Sequence, residues 1–357
     1  MELFEIIERD EHEQIIFCSN KDAGLRAIIA IHNTSLGPAF GGTRMWNYGS
    51  VDEALTDVMK LSKIMTYKAA VTGLNYGGGN AVIIGNPQRE NRELLFRTFG
   101  KYVNSLAGRY YTAEDVGTTV EDMEFVRMET KYVTGISKAL GGSGNPAPVT
   151  AYGIFVGMKA CANARWGNDS LENKKIVIQG AGQVGKNLAE YLTASGAKVF
   201  ITDIYPEKIE NLSKSVKAEF VPHDKIFEID SDIFSPCALG GIINDETINK
   251  LNCEIIAGSA NNQLENEEKH GRMLFEKGIL YAPDYVINAG GLINVANELE
   301  GYRQDRALKQ ADKIYHNLSK VIEISEKENV PPCLASAKIA EERLKHIGGM
   351  KKIYTKN

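Results

Sequence analysis

Three glycines with the spacing G-x-G-x-x-G, at Gly180, Gly182 and Gly185, stand between two apolar stretches. Residues 175–179 and 198–202 are the apolar stretches, and Asp203 ends the second one. In a strand–turn–helix unit, such glycines permit a tight turn, the approach of a pyrophosphate and close packing of the helix on the strand. An acidic residue about 20 positions further on can bind the ribose hydroxyls of NAD and repel a 2′-phosphate. The first apolar stretch, the glycine motif, the second apolar stretch and the acidic residue all fit such a unit. The sequence therefore favours an NAD-binding unit over an ordinary βα turn.

A second group of residues that can do chemistry precedes this unit. Lys68 is followed by three consecutive glycines at 77–79 and then by Asn80, and Glu114 and Asp115 place two carboxylates at the end of a predicted strand. Three adjacent glycines indicate close approach by a ligand, or else a tight turn between two strands. Carboxylates at strand ends are common functional groups in α/β proteins, although a helix cap or a solvated turn is the plainer interpretation.

The pattern of elements around these residues predicts an α/β fold. Short strands alternate with amphipathic helices along most of the chain, which is typical of a parallel sheet covered by helices, and residues 285–288 are among the predicted strands. The glycine- and proline-rich residues 141–148 predict a hinge. We therefore expect two domains, an N-terminal α/β domain at 1–140 and a Rossmann-type NAD-binding domain at 146–330. The tail at 331–357 is expected to return to the first domain.

Composition narrows the class of protein. The chain has 357 residues and a formal net charge of −5, so it offers no basic excess for binding nucleic acid. It contains no apolar run of about 18 residues that would span a membrane, and its N-terminus does not resemble a signal peptide. The 5 cysteines are scattered and lack metal-ligand spacing, which predicts free thiols in a reducing cytoplasm and no metal site. All six histidines are interpreted as surface or core residues.

The motifs as a set resemble the glutamate/leucine/phenylalanine/valine dehydrogenase family, and in particular its leucine dehydrogenase branch. The stretches that carry the resemblance extend through almost the whole chain: 36–39, 41–46, 65–68, 77–79, 112–122, 143–152, 237–240, 256–264 and 281–295. The resemblance implies reversible NAD-dependent oxidative deamination of a branched-chain or other apolar L-amino acid to its 2-oxo acid and ammonia. It also implies that 1–140 is a substrate-binding and oligomerisation domain, separated by a cleft from the NAD-binding domain. The implied assembly is a homo-oligomer, typically an octamer.

Residue roles follow from the resemblance. Lys68 matches the lysine that binds the substrate carboxylate, and Asp115 matches the catalytic aspartate that orders proton transfer. Further implied substrate contacts are Phe40, Gly41, Met65, Asn262, Leu292 and Val295. The implied cofactor contacts are Thr150, Gly180, Ala181, Gly182, Gln183, Val184, Gly185, Asp203, Ile204, Cys237, Ala238, Leu239 and Asn261. Phe40 and Leu292 are larger than the leucine and valine usual in the branch, which predicts a tighter or differently shaped side-chain pocket, unless the neighbours shift.

Asn80 departs from the family pattern. The family carries a lysine after the three glycines, and that lysine is the general base for attack of water on the imine. An amide does not titrate, so Asn80 can hold a water or a substrate oxygen but cannot remove its proton. Three hypotheses therefore stay open: a weakened dehydrogenase, an NADH-dependent reductase of a preformed imine, and an inactive protein that binds NAD or amino acids.

Overall fold

The computed structural model describes residues 3–213 and 216–350, so the end of the predicted tail, 351–357, lies outside the described residues. These residues form two compact units. Of the described residues, unit 1 comprises 3–145, 295–303 and 339–350, and unit 2 comprises 146–213, 216–294 and 304–338. Residues 295–303 are thus grouped with unit 1, and residues 331–338 of the tail with unit 2.

Unit 1 contains a mixed sheet of five strands. The strands are β1 (Gln14–Asn20), β2 (Leu25–Asn33), β3 (Ala39–Trp46), β4 (Gly77–Ile84) and β5 (Tyr110–Glu114). The helices before residue 146 are α1 (Leu3–Arg9), α2 (Val51–Val71), α3 (Arg92–Ser105) and α4 (Val120–Arg127). The strand order is β1-β2-β4-β3-β5, with β3 parallel to both β4 and β5 and with β2 antiparallel to both of its neighbours.

Alternation along the strands gives this sheet two different faces. Val82 of β4 packs with Leu55 and Val58 of α2. Its neighbours Ala81 and Ile83 pack on the opposite face, in the cluster that contains the apolar residues of α3 and α4. The even-numbered residues of β4 therefore face α2, and this face carries the chemistry described below.

Unit 2 contains a parallel sheet of six strands. Its strands are β6 (Lys175–Gln179), β7 (Lys198–Thr202), β8 (Glu219–Phe220), β9 (Ile233–Pro236), β10 (Ile255–Ile256) and β11 (Leu280–Tyr281). The remaining helices are α5 (Ala147–Trp166), α6 (Gln183–Ala194), α7 (Pro206–Ser213), α8 (Glu267–Glu276), α9 (Asp284–Ile287), α10 (Gly290–Ala296), α11 (Gln304–Ala311), α12 (Lys313–Glu328) and α13 (Pro332–Gly348). The strand order β11-β10-β9-β6-β7-β8 is that of a Rossmann sheet, with its switch point between β6 and β9.

Two local predictions were wrong. Residues 285–288 were expected to form a strand, but Asp284–Ile287 is the short helix α9. Its apolar residues Tyr285, Val286 and Ile287 are all buried, and a short run buried all round shows no periodicity that separates a helix from a strand. The second was one of two interpretations left open for glycines 77–79, which form no tight turn between strands and instead begin strand β4. A Cβ at Gly78 would lie 2.1 Å from the Thr66 backbone nitrogen. The absence of a side chain at Gly78 therefore allows helix α2 to pack closely against β4.

Candidate active site

Strands β3 and β4 part locally at Gly41 and Gly42. Their register passes from Phe40 opposite Gly78 directly to Thr43 opposite Ala81. Between these pairs, the Gly42 backbone N–H donates to the Asn80 side-chain oxygen Oδ1 at 2.7 Å. A Cβ at Gly41 would lie 1.7 Å from the Gly79 carbonyl oxygen, so no larger residue fits there. The amide of Asn80 thus joins the two strands where the backbone ladder is interrupted.

The Gly42 backbone also contacts Asp115, on the side opposite to β4. A Cβ at Gly42 would lie 2.8 Å from the Asp115 Cβ, which leaves room only for hydrogen. Gly42 of β3 pairs with Ala113 of β5, and Asp115 follows that strand by one residue. The register of three strands therefore brings Asn80 and Asp115 to either side of one glycine, although they are distant in the sequence.

Arg44 is a charged partner of Asp115 that sequence reasoning did not assign. Its Nη2 lies 3.5 Å from Asp115 Oδ1, and its Nη1 lies 3.1 Å from Asp57 Oδ2. Tyr48 also donates its hydroxyl to Asp57 Oδ2, at 2.5 Å. Because Phe40, Gly42 and Arg44 alternate on β3, the side chain of Arg44 lies on the α2 face of the sheet. In the sequence, Arg44 stands out as the charged residue among the neutral residues of 41–46. No sequence pattern, however, indicates that Asp115 is its partner.

Lys68 belongs to the last turn of α2, the helix that covers the face shared by Asn80 and Arg44. Its side chain is only 8% exposed. A charged ammonium group is buried at a cost unless an opposite charge or hydrogen-bond acceptors accompany it. Met65, one turn earlier on α2, is half-buried. Asn80 and Asp115 therefore lie on one face of the unit 1 sheet, and Lys68 ends the helix that covers this face.

Phe40 lies within a small aromatic cluster on β3 and its neighbours. The ring is 1% exposed, and its centroid lies 5.3 Å from that of Tyr76 and 6.3 Å from that of Tyr111, with which it is stacked. Burial raises the pKa of both tyrosines, which keeps them neutral near pH 7. Phe40 is therefore held in place by the packing of two neutral aromatic side chains.

Two buried histidines contact α2, His32 from β2 and His12 from the segment that precedes β1. His32 Nδ1 lies 2.8 Å from Thr66 Oγ1, and His12 Nε2 lies 2.9 Å from Ser62 Oγ. The rings of His12 and His32 meet edge to face, with centroids 4.8 Å apart. Burial, with a smaller contribution from the charge of His12, lowers the pKa of His32 to about 3.

We expect His32 to make the fold sensitive to acid. Its pKa is lower in the folded than in the unfolded chain, so its contribution to stability is present above about pH 6.5 and is lost as the pH falls. By pH 5 the loss should be about 2 kcal/mol in the free energy of unfolding. Urea titrations at pH 7 and pH 5 should therefore show a smaller pH effect for His32→Gln than for the unchanged chain.

Comparison with His32→Gln separates the effect of His32 from that of buried carboxylates, which change the free energy of unfolding in the opposite direction. Burial raises the pKa of Glu114 and of Glu267 to about 7. Protonation of these two groups therefore increases the free energy of unfolding as the pH falls. His223→Gln, at an exposed site, is the matched control and should behave like the unchanged chain. An equal pH effect in all three proteins would contradict a neutral buried His32.

In unit 2, the predicted nucleotide loop lies at the switch point of the sheet. Gly180 has a φ of +112°, and a Cβ there would lie 2.9 Å from the Cys237 carbonyl oxygen. A Cβ at Gly185 would lie 2.0 Å from the Gly180 carbonyl oxygen, whereas Gly182 has nothing within 4 Å. Helix α6 begins after Gly182, so its first N–H groups face this open space. The loop thus leaves open space beside Gly182, at the position where the sequence predicts a phosphate group.

The carboxylate of Asp203 is held by the backbone of this loop and of its own turn. Its Oδ2 accepts from the Ala181 N–H at 2.9 Å, and its Oδ1 accepts from the Tyr205 N–H at 3.0 Å. Lys208 Nζ lies 3.6 Å from Oδ2. Each carboxylate oxygen can accept a further hydrogen bond, so a ribose hydroxyl can still be bound.

The other predicted cofactor residues of unit 2 occupy varied surroundings. Ile204 and Leu239 are 60% and 79% exposed. The Asn288 side chain donates to Asn261 Oδ1 at 2.8 Å, and Asn262 adopts a φ of +52°. Gln183 and Val184 open helix α6, and Cys237 and Ala238 follow strand β9.

Thr150 lies on α5 beside the start of α10. A Cβ at Gly290 would lie 2.8 Å from the Thr150 Cα, and one at Gly291 would lie 3.0 Å from the Thr150 Oγ1. Leu292 and Val295 follow on α10 and are 6% and 7% exposed. Leu292 and Asn262 belong to unit 2, whereas Val295 and the other predicted substrate residues belong to unit 1.

No helix within 3–213 and 216–350 is long and apolar enough to cross a membrane. In the same ranges, no three His, Cys, Asp or Glu side chains are grouped so as to hold a metal ion. The described cysteines are all free.

Comparison with known proteins assigns the chain to a family. The sequence model described as "Glu/Leu/Phe/Val dehydrogenase, dimerisation domain" matches residues 12–132. The model described as "Glutamate/Leucine/Phenylalanine/Valine dehydrogenase" matches residues 141–204 and 201–347.

Individual relatives agree with these two models. The chain is 54% identical to leucine dehydrogenase of Thermoactinomyces intermedius, over 96% of this chain and 94% of that protein. It is 53% identical to leucine dehydrogenase of Bacillus subtilis (strain 168), over 97% and 95% respectively. The crystal structure of L-tryptophan dehydrogenase from Nostoc punctiforme matches with a TM-score of 0.84 and 45% identity, over 97% of this chain and 99% of that one. The chain is therefore an amino acid dehydrogenase that belongs to the glutamate/leucine/phenylalanine/valine dehydrogenase family.

Proposed function

We propose that this chain catalyses the reversible NAD-dependent oxidative deamination of an apolar, leucine-like L-amino acid to its 2-oxo acid and ammonia. The observation that carries this proposal is the arrangement on the α2 face, where Asn80 and Asp115 lie on either side of Gly42 and buried Lys68 ends the covering helix. The high identity to leucine dehydrogenases supports leucine as the type of substrate.

In this proposal, Lys68 binds the substrate carboxylate by charge-assisted hydrogen bonds. Asp115 orders proton transfer at the substrate nitrogen and at the attacking water, and Arg44 fixes the position of its carboxylate. Phe40, Gly41 and Met65 line the side-chain pocket. Asn262, Leu292 and Val295 are proposed as further substrate contacts on the strength of the family resemblance.

For the cofactor, we propose NAD in preference to NADP. The loop at 180–185 would hold the pyrophosphate, and Asp203 would bind the ribose hydroxyls and repel a 2′-phosphate. Exposed Leu239 and Ile204 would cover the adenosine half, together with Cys237 and Ala238, while Thr150 and Asn261 would lie towards the nicotinamide. When bound, NAD accepts a hydride from the substrate Cα, or NADH returns one.

Asn80 limits this reaction at its hydrolytic step. Oxidation of the amino acid gives an imine, and a water must lose a proton as it attacks the imine carbon. The Asn80 amide does not titrate, and its oxygen already accepts a hydrogen bond from Gly42. For that reason we also propose, as a second candidate function, NADH-dependent reduction of a preformed imine, which needs no activated water.

The experiment that tests the function is an assay of NADH formation with L-leucine, L-valine and L-phenylalanine, with NAD or NADP as acceptor. The proposal expects NAD-linked turnover that is greatest with an aliphatic substrate, and at least about 10-fold less with NADP. Cofactor binding without turnover, in this chain and in Asn80→Lys, would instead identify a binding protein. Reduction of a supplied cyclic imine without deamination would identify the reductase.

We also propose a homo-oligomer in the cytoplasm. The N-terminal family model is described as a dimerisation domain, and the free cysteines suit a reducing compartment. Octamers are typical of the branch that the chain resembles.

Phe40→Leu is expected to change both stability and substrate preference. Loss of the buried ring should lower the free energy of unfolding by about 1–2 kcal/mol. If Phe40 lines the pocket, the added space should raise the ratio of kcat/KM for L-phenylalanine to that for L-leucine by about 10-fold. Phe96→Leu, a fully buried ring on the opposite face of the sheet, is the matched control. The control should lose stability without changing this ratio of kcat/KM values. An equal ratio in both variants would show that Phe40 does not line the pocket.

A further inference from the structure

The orientation of the Asn80 amide is fixed by one backbone group. The Gly42 N–H can only donate a hydrogen bond, so the atom that faces it at 2.7 Å must be the amide oxygen Oδ1. The amide nitrogen Nδ2, with its two N–H groups, consequently faces away from Gly42. Rotation of the amide by 180° would place two donors against each other and is disfavoured.

Asn80 Nδ2 is a buried donor that the described chain does not satisfy. The Asn80 residue is 1% exposed, and within 3–213 and 216–350 Nδ2 has no hydrogen-bond partner. A buried N–H without an acceptor is costly, and such groups commonly mark a position that a ligand or a water completes.

This donor lies on the face that carries the other groups of the proposed site. Gly78, Asn80 and Val82 alternate with residues of the opposite face, and Gly78 contacts α2 at Thr66, two residues before Lys68. Asp115 lies across Gly42 from Asn80. Nδ2 therefore lies on the same face of the sheet as Asp115, under the helix that carries Lys68.

The chemistry of the donor selects between the two ligands of the proposed reaction. The carbonyl oxygen of a 2-oxo acid accepts hydrogen bonds, whereas the α-ammonium group of an amino acid only donates them. A ligand that cannot pair with a buried donor leaves that donor unsatisfied and loses affinity. We propose that Asn80 is a specificity-determining residue whose Nδ2 donates to the carbonyl oxygen of a bound 2-oxo acid. The chain consequently binds the 2-oxo acid more tightly than the corresponding amino acid, an inference that rests on the proposed function.

Binding of both ligands can be measured without turnover. With NADH present and ammonia absent, neither 4-methyl-2-oxopentanoate nor L-leucine has its reaction partner, so titration calorimetry gives both dissociation constants. The unchanged chain should bind the 2-oxo acid at least about 10-fold more tightly than L-leucine. Asn80→Asp keeps an oxygen for Gly42 but replaces the donor with an acceptor, and it should reduce or reverse this ratio by at least about 10-fold.

A second variant covers the case in which Asn80→Asp does not fold. Asn80→Leu has a similar shape and no donor, and it should weaken binding of the 2-oxo acid while changing that of L-leucine by less than about 3-fold. A ratio in either folded variant equal to that of the unchanged chain would overturn the role of Asn80 and leave the proposed function intact. If the unchanged chain bound NADH but neither ligand, the proposed function and this inference would both be overturned.

Discussion

Replacing Asn80 with lysine is expected to raise the rate of oxidative deamination of L-leucine by at least about 10²-fold. The reason is that a positioned base typically contributes 10²–10⁴-fold to a proton transfer, and an amide contributes none of this. Lys68, Asp115 and Arg44 would remain in place for the other steps. The measurement is the steady-state rate of NADH formation at saturating NAD and L-leucine.

The same substitution should make the fold less stable. Lysine cannot accept the hydrogen bond that the Gly42 N–H now donates to Asn80, so the free energy of unfolding should fall by about 1–2 kcal/mol. Asn104→Lys adds the same charge at an exposed site of α3 and should change neither quantity. Equal rates for the unchanged chain and Asn80→Lys would refute the argument that position 80 lacks its base.

Replacing Lys68 with methionine is expected to lower kcat/KM for L-leucine by at least about 10³-fold. In the proposed site, Lys68 supplies the cation for the substrate carboxylate, and loss of a charge-assisted contact at a buried position removes both affinity and orientation. Methionine keeps a long apolar stem and removes a buried charge, so the fold should persist. The assay is best made in the Asn80→Lys background, in which turnover is greatest.

Lys60→Met is the matched control, because Lys60 is an exposed lysine of the same helix. It should leave kcat/KM within about 2-fold of the parent protein. A similar KM in Lys68→Met and in Lys60→Met would show that the substrate carboxylate is bound elsewhere.

The nucleotide unit could be predicted from the sequence because all its parts are local. Strand β6, the turn at Gly180, helix α6 and Asp203 follow one another within one supersecondary unit, and each has its own sequence signal. The open space beside Gly182 and the positive φ of Gly180 agree with that signal. The short helix α9 was wrongly predicted because a buried apolar run favours a strand and a helix equally.

The arrangement on the α2 face could not be predicted in the same way. The proximity of Asn80 to Asp115 depends on the register of β4, β3 and β5, which no local pattern sets. The ion pair between Arg44 and Asp115, and the contact of His32 with Thr66, likewise join distant segments of the chain. The resemblance named Asn80 and Asp115, and the structure adds that one glycine backbone separates them.

The most direct test of the account follows the hydrogen at the substrate Cα. The unchanged chain and Asn80→Lys would each be incubated with NAD and L-[2-²H]leucine, and the NADH formed would be analysed by mass spectrometry. The account predicts deuterium in the NADH from both proteins, in equal amount to the 2-oxo acid formed, with slow formation in the unchanged chain and fast formation in the variant. Absence of deuterated NADH from both proteins, with NAD bound to each, would contradict it.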